Sequence, residues 1–223
     1  MSARAGDGSL AVAVFARTPV AGAAKTRLIP RLGAEGAARL QAQLTQLALA
    51  RAMKVAPGNT SLWLAGEPAP YTGQNVVPVH VQRGDDLGVR MALAFETLLP
   101  QHAAVLLIGT DCPAQTDADL RDAALSLETH DVVVQPADDG GYVLIGLSQR
   151  VLHHTPSNWR ELFCGVAWGT SSVFAQTQDR LAATGLRHAL LPSRPDLDVA
   201  QDYERAVQSG WIVPVDGGGS RCA

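Results

Sequence analysis

Leu10-Ala11-Val12-Ala13-Val14-Phe15-Ala16 is the stretch that decides the fold, an all-apolar run set between Gly8-Ser9 and Thr18-Pro19. A run this short, lacking the polar alternation of a half-buried strand, predicts a strand covered on both faces, as in parallel sheets. Ala103 to Ile108 (AAVLLI) repeats the signature. Between and beyond these two, further strands are expected over Ser61–Ala65, Val76–Val81, Asp131–Gln135, Tyr142–Leu147 and Arg187–Leu191. Helices are expected over 34–54, 87–99, from Thr116 to about Glu128, 171–183 and 199–208. Apolar residues at helical spacing (Leu40, Leu44, Leu47, Met53) and stops such as Pro57-Gly58 and Pro100 carry those assignments. Alternating strands and helices predict an α/β protein, a three-layer sandwich of helix, sheet and helix. Residues 10–212 show no internal repeat or low-complexity linker and read as one domain, with 1–9 and the Gly/Ser-containing 213–223 as flexible tails.

The 223 residues can bury a substantial core without disulfides or structural metal. Charged residues make up 17% and the formal net charge is -3, so no global basic field draws the chain to nucleic acid or an anionic membrane. Three widely spaced cysteines (Cys112, Cys164, Cys222) match neither a disulfide framework nor a zinc site. No secretory signal is visible and no apolar run approaches the ~20 residues of a membrane helix, so a reducing cytoplasmic setting is expected. Oligomeric state cannot be read from the sequence.

In open α/β sheets, ligands sit beyond the carboxyl ends of the strands. After the first strand come Arg17-Thr18-Pro19-Val20-Ala21-Gly22-Ala23-Ala24-Lys25-Thr26-Arg27. Small residues such as Gly22 let a backbone approach phosphate, and Lys25 and Arg27 offer a point charge and a planar fork for its oxygens. Lys25 and Lys54 are the only lysines, in a background of arginine. The spacing matches neither a Walker A loop nor a dinucleotide fingerprint, which excludes the ordinary ATPase and dehydrogenase readings. A solvated surface loop is the competing reading.

The central run ends in Gly109-Thr110-Asp111-Cys112-Pro113, where Asp111 is placed either to hold a divalent cation against a diphosphate or to cap a turn. Cys112 reads as a small buried apolar residue. Asp138-Asp139-Gly140-Gly141-Tyr142 lies between two strands; Asp139 there is a candidate for binding metal, hydroxyls or a proton, against the alternative of a plain Asp-Gly hairpin. Asp196-Leu197-Asp198 follows the last strand, with both carboxylates on one face if extended. Asp85-Asp86 reads as a helix entry, His153-His154 as surface residues rather than zinc ligands, and Trp159 and Trp168 as core or pocket wall.

In that order, Phe15-Ala16-Arg17-Thr18-Pro19…Gly22…Lys25-Thr26-Arg27-Leu28, Gly109-Thr110-Asp111-Cys112-Pro113, Asp139-Gly140-Gly141-Tyr142 to Leu147, and Asp196-Leu197-Asp198…Asp202 resemble the DUF2064 family. The resemblance spans most of residues 10–205. It implies the GT-A fold of nucleotide-diphosphosugar transferases, with a mostly parallel mixed sheet. It also implies a transferase that uses Mg²⁺ or Mn²⁺ and a nucleotide-activated donor, moving a glycosyl group to a small-molecule acceptor. The first motif is also similar to the corresponding loop of nucleotidyltransferases, which leaves nucleotidyl transfer open; a non-catalytic nucleotide-binding protein is a third reading.

By that likeness Arg17, Gly22, Lys25, Thr26, Arg27 and Thr110 would face the nucleotide and its phosphates. Asp111 would hold the metal, with Asp139 or Asp198 as the second carboxylate. Lys25 and Asp139 would serve catalysis, Asp139 by orienting or deprotonating the acceptor, and Gly140, Gly141, Tyr142 and Trp168 would form the acceptor pocket. Three positions depart from the family pattern: Gly169 for serine, Val199 for threonine and Arg17 for lysine.

Overall fold

Alternate residues of the opening strand serve different cores. In the computed structural model, which describes residues 9–66, 76–154 and 158–215, the first strand, β1 (Leu10–Arg17), sends Ala11, Ala13 and Phe15 to one face of the sheet. Val12, Val14 and Ala16 point to the other. An unbroken apolar run is therefore what a central strand with helices on both sides requires.

The remaining elements are α1 (Ile29–Val55), β2 (Thr60–Ala65), β3 (Val79–Val81), α2 (Leu87–Leu98), β4 (Ala104–Ile108) and α3 (Asp117–Thr129). They are followed by β5 (Val132–Pro136), β6 (Tyr142–Ser148), α4 (Val151–His154), α5 (Val173–Thr184), β7 (His188–Leu190) and α6 (Ala200–Gln208). The described strands form one seven-stranded sheet in the order β3-β2-β1-β4-β6-β5-β7. Only β6 runs antiparallel to its neighbours, registering Leu107 with Ile145 on β4 and Val134 with Ile145 on β5.

Helices α1 and α3 cover one face through Ala48, Leu49, Ala52, Leu120, Ala123 and Leu127. The other face packs against α2, α4, α5 and a 3-10 segment at Asn158–Phe163, through Met91, Phe95, Val151, Trp159, Phe163 and Leu181. A third cluster joins Leu28, Leu32, Leu40 and Leu44 to Leu197, Tyr203, Ala206 and Ile212, so the C-terminal segment is folded back onto the start of α1. The three-layer sandwich with a mostly parallel mixed sheet is as expected.

The differences are local. Regular helix in α1 begins at residue 34, but a helical turn at Ile29–Leu32 precedes it, separated by Gly33 at φ 69°. Strand β3 is shorter than expected because Pro78 has no N–H for the ladder, leaving Val76 and Val77 outside it. Helix α4 and the 3-10 segment carry no periodicity long enough to read. Of the expected tails, residues 1–8 and 216–223 lie outside the described residues. Ser9 and Val215 are tied down, Ser9 by accepting from the Ala103 N–H at 3.0 Å and Val215 by donating to the Tyr203 hydroxyl at 3.0 Å. Among the described residues no helix is long and apolar enough to cross a membrane.

Candidate functional site

The carboxyl ends of β1, β4 and β5 open toward the same edge of the sheet, and the segment from Pro192 to Val199 bonds to the end of β5, to Asp111 after β4 and to Lys25 in the loop after β1. That strap is stitched in place along its length. Arg194 N–H donates to the Pro136 carbonyl at 3.0 Å, Asp138 N–H to the Arg194 carbonyl at 3.1 Å, and Leu197 N–H to the Asp111 carbonyl at 2.7 Å. The Arg194 guanidinium grips Asp119 at the start of α3 with two bonds, at 2.7 and 3.1 Å. Burial alone would raise the Asp119 carboxyl, but Arg194 together with the N–H and hydroxyl of Thr116 outweighs it and holds the carboxyl below its ordinary range. Thr116 and Asp119 close a capping box, so the helix start and the strap share one carboxylate.

Lys25 lies at the centre. It sits in the left-handed region (φ 46°, ψ 47°), the one non-glycine with positive φ among the described residues. Its side chain is only 6% exposed, and its ammonium meets Asp111 Oδ1 at 2.9 Å, Asp198 Oδ1 at 3.5 Å and the Leu197 carbonyl. Arg27, largely exposed, binds the other oxygen of Asp198 at 3.1 Å. The sequence suggested a cationic phosphate loop and, apart from it, an acidic metal site. The structure joins them in one charge cluster.

Asp111 is oriented from below by a buried polar relay. Gln41 of α1 donates to the Thr110 hydroxyl at 3.1 Å, and that hydroxyl donates to Asp111 Oδ1 at 3.3 Å. Arg51 of the same helix donates to the carbonyls of Cys112 and Pro113, at 3.4 and 2.7 Å. Cys112 itself is buried, and burial pushes its thiol up to about 11, consistent with a packing residue.

The hairpin between β5 and β6 forms the neighbouring wall. Asp139 Oδ1 accepts from Gly141 N–H at 2.8 Å, which bends the tip. Gly140, at φ 90°, lies so close to the next segment that a Cβ there would fall 2.0 Å from the Ser171 carbonyl oxygen. Behind it, Tyr142 and Trp168 meet edge to face at 6.3 Å and 85°. Tyr142 hydrogen-bonds Met91 sulfur at 3.7 Å, and burial holds its phenol well above the ordinary range. The Trp168 indole N–H has no acceptor among the described residues.

Asp196 is the residue the sequence reading undervalued. Burial, then repulsion from Asp139, Asp198 and Asp202, raises its carboxyl to about 6. The Asp-x-Asp spacing named it, but nothing in the sequence singled it out from Asp198. Gln41 and Arg194 were also missed; a glutamine on the core face of a leucine-rich helix was the one available signal.

Arg17 ends β1 exposed, while Gly22 (φ 82°) and Thr26 shape the loop that carries Lys25. Val199 begins α6 in extended geometry without an oxygen of its own; Asp202 supplies the cap, accepting from the N–H groups of Asp198 and Val199 at 3.1 and 3.0 Å. The family's threonine thus maps to a helix cap rather than to chemistry. Gly169 has φ 78°, which explains glycine where the pattern has serine.

The DUF2064 family model, described as an uncharacterized protein conserved in bacteria, matches residues 40–170, more than half of the chain. The chain is a DUF2064 protein. The matched region holds Gln41, Asp111, the Asp139–Tyr142 hairpin and Trp168; Lys25, Arg27 and Asp198 lie outside it. No curated protein matches the sequence of this DUF2064 chain.

Among solved structures, one from Desulfovibrio desulfuricans G20, provisionally assigned as a nucleotide-diphospho-sugar transferase, superposes with a TM-score of 0.77. It is 25% identical, over 90% of this chain and 87% of that one. The 2-C-methyl-D-erythritol 4-phosphate cytidylyltransferase of Thermus thermophilus gives a TM-score of 0.58 at 14% identity, over 92% of this chain and all of that one (100%). A CMP:2-keto-3-deoxy-manno-octonic acid synthetase complexed with CTP gives 0.57 at 13%, again over 92% and 100%. The DUF2064 chain therefore shares the fold of nucleotide-diphospho-sugar transferases and cytidylyltransferases.

Proposed function

We propose that this protein is a divalent-metal-dependent transferase that takes a glycosyl group from a nucleotide-diphosphosugar and delivers it to a small-molecule acceptor. The observation that carries the reading is the meeting of Lys25 and Arg27 with Asp111 and Asp198 at the carboxyl end of the central strands. The likeness to the Desulfovibrio desulfuricans protein supports the donor class.

The donor set suits Mg²⁺ or Mn²⁺ in one specific sense. Among the described residues no group of three or more carboxylates, histidines or cysteines is arranged to hold a metal ion. Asp111 and Asp198, however, each place an oxygen within 3.5 Å of the same lysine nitrogen. Magnesium is commonly held by one or two carboxylates together with substrate phosphates, and this pair fits that pattern. Bound there, the ion would supply Lewis-acid stabilisation of charge on the departing diphosphate.

The protein's own residues do the rest. The Gln41–Thr110 relay orients Asp111, Lys25 and Arg27 offset phosphate charge, and the strap keeps Asp198 in reach. Asp139, at the hairpin tip, is the group that orients or deprotonates an acceptor hydroxyl, with Tyr142 and Trp168 walling the acceptor side.

Nucleotidyl transfer from a nucleoside triphosphate is the second reading, since it needs the same basic loop and carboxylates on the same fold. Released nucleoside diphosphate marks glycosyl transfer, and released pyrophosphate marks the alternative. A thermal-shift panel of nucleotides and nucleotide sugars, with and without Mn²⁺, tests the site. A ligand at ~100 times its Kd adds roughly 2.7 kcal/mol. The shift is expected to require metal and to vanish in Asp111→Ala. A metal-independent shift, or one that survives in the mutant, refutes the assignment of Asp111.

A further inference from the structure

We infer that Lys25 keeps the Asp111–Asp198 pair closed to a divalent cation until a donor's phosphates arrive, so that metal and donor bind only together. The inference deepens the transferase reading and rests on it for the identity of the donor, while its test needs no nucleotide.

An ammonium has three N–H donors, and those of Lys25 have three acceptors: Asp111 Oδ1, Asp198 Oδ1 and the Leu197 carbonyl. The lysine side chain is 6% exposed against 52% for Asp111 and 38% for Asp198, so the ammonium is shielded while the carboxylates face solvent, and what bars a cation is the charge between them. The loop holds Lys25 there in a backbone conformation that L-residues avoid, so the placement is imposed by the fold rather than by chance contact on the surface. Arg27 occupies the outer oxygen of Asp198. Two carboxylates are thus matched by two cations. An isolated divalent ion arriving at this pair meets anions already neutralised, and a like charge buried between them.

A diphosphate changes the balance. Its oxygens offer Lys25 and Arg27 new acceptors, and the carboxylates released by the lysine are then free for the ion. Each ligand makes room for the other, which is a reciprocal coupling between two binding events. The guard is the lysine's charge; the tie to the Leu197 carbonyl is a separate, structural duty that any N–H donor of similar reach performs.

The test is Mn²⁺ binding to the nucleotide-free full chain, read from the paramagnetic resonance signal of the free ion. Lys25→Met and Lys25→Gln are each expected to bind Mn²⁺ about tenfold more tightly than the wild type, inside the roughly 5–150-fold span of such couplings. Adding Asp111→Asn to either variant is expected to abolish the gain. Both variants lose the charge, so a lysine that only tied the chain together would leave Mn²⁺ affinity unchanged or weaker in both. Unchanged or weaker Mn²⁺ binding in variants whose circular dichroism matches the wild type overturns the inference. If no nucleotide donor were ever found, a tighter Lys25→Gln would still stand, and the two failures remain distinguishable.

Discussion

Replacing Gly140 with alanine places a methyl carbon 2.0 Å from the Ser171 carbonyl oxygen and 2.8 Å from its carbonyl carbon. The obstacle is backbone, so no side-chain rotation relieves it. The 165–172 segment has to move, and the bond from Phe174 N–H to the Gly140 carbonyl, at 2.8 Å, moves with it. Two terms add. A β-carbon at φ 90° costs roughly 1–2 kcal/mol, and forcing a methyl into a filled space costs about 1–3 kcal/mol. A loss of about 3 kcal/mol lowers the Tm of a chain this size by about 6–12 °C.

Gly109→Ala is the matched control in the adjacent loop, because nothing lies within 4 Å of its would-be Cβ and its φ is not positive. It is expected to stay within about 0.5 kcal/mol of the wild type. Urea denaturation at pH 7.5 measures both. A Gly140→Ala loss below about 1 kcal/mol, with an unchanged m-value, would mean that the hairpin tip and the Ser171 segment are not in contact in solution.

Two further outcomes follow from neighbouring residues. Asp196, raised to about 6 in the fold against an ordinary 3.8, binds a proton more readily folded than unfolded between those values, so its cost is absent below about pH 3 and complete above about pH 7. Asp196→Asn should therefore raise the urea midpoint at pH 7.5 and leave it unchanged at about pH 3. Val199→Thr restores a side-chain oxygen to the N-cap of α6 and should add about 0.5–1 kcal/mol, seen as a Tm higher by about 2 °C.

The layers of this fold were legible because burial on both faces leaves an unmistakable trace, as in Leu10–Ala16 and Ala103–Ile108. Direction was not. Tyr142–Leu147 reads as a strand whether it runs with or against its neighbours, since side-chain alternation is indifferent to polarity, and the short Asp-Gly turn before it was the hint of a hairpin. The site divides in the same way. Lys25, Asp111 and Asp198 stood out as polar residues at strand ends, where packing does not demand them. Their mutual contact spans 172 and 173 positions for the partners of Lys25 in the strap, a separation on which no local pattern reports. Gln41 and Arg194 were hidden for a related reason: their partners, Thr110 and Asp119, lie 69 and 75 positions away.

The same separation has a consequence for how the protein is made. At about 5–20 residues per second, some 9–35 s of synthesis lie between the appearance of Lys25 and that of Asp198. During that interval the central strands have their partners, but Leu28, Leu32, Leu40 and Leu44 still await Leu197, Tyr203 and Ile212. A chain interrupted before the strap carries most of the sheet but lacks the completed charge cluster. The charge cluster is therefore completed only once the strap has been made, and a product cut short before it cannot bring Asp198 to Lys25.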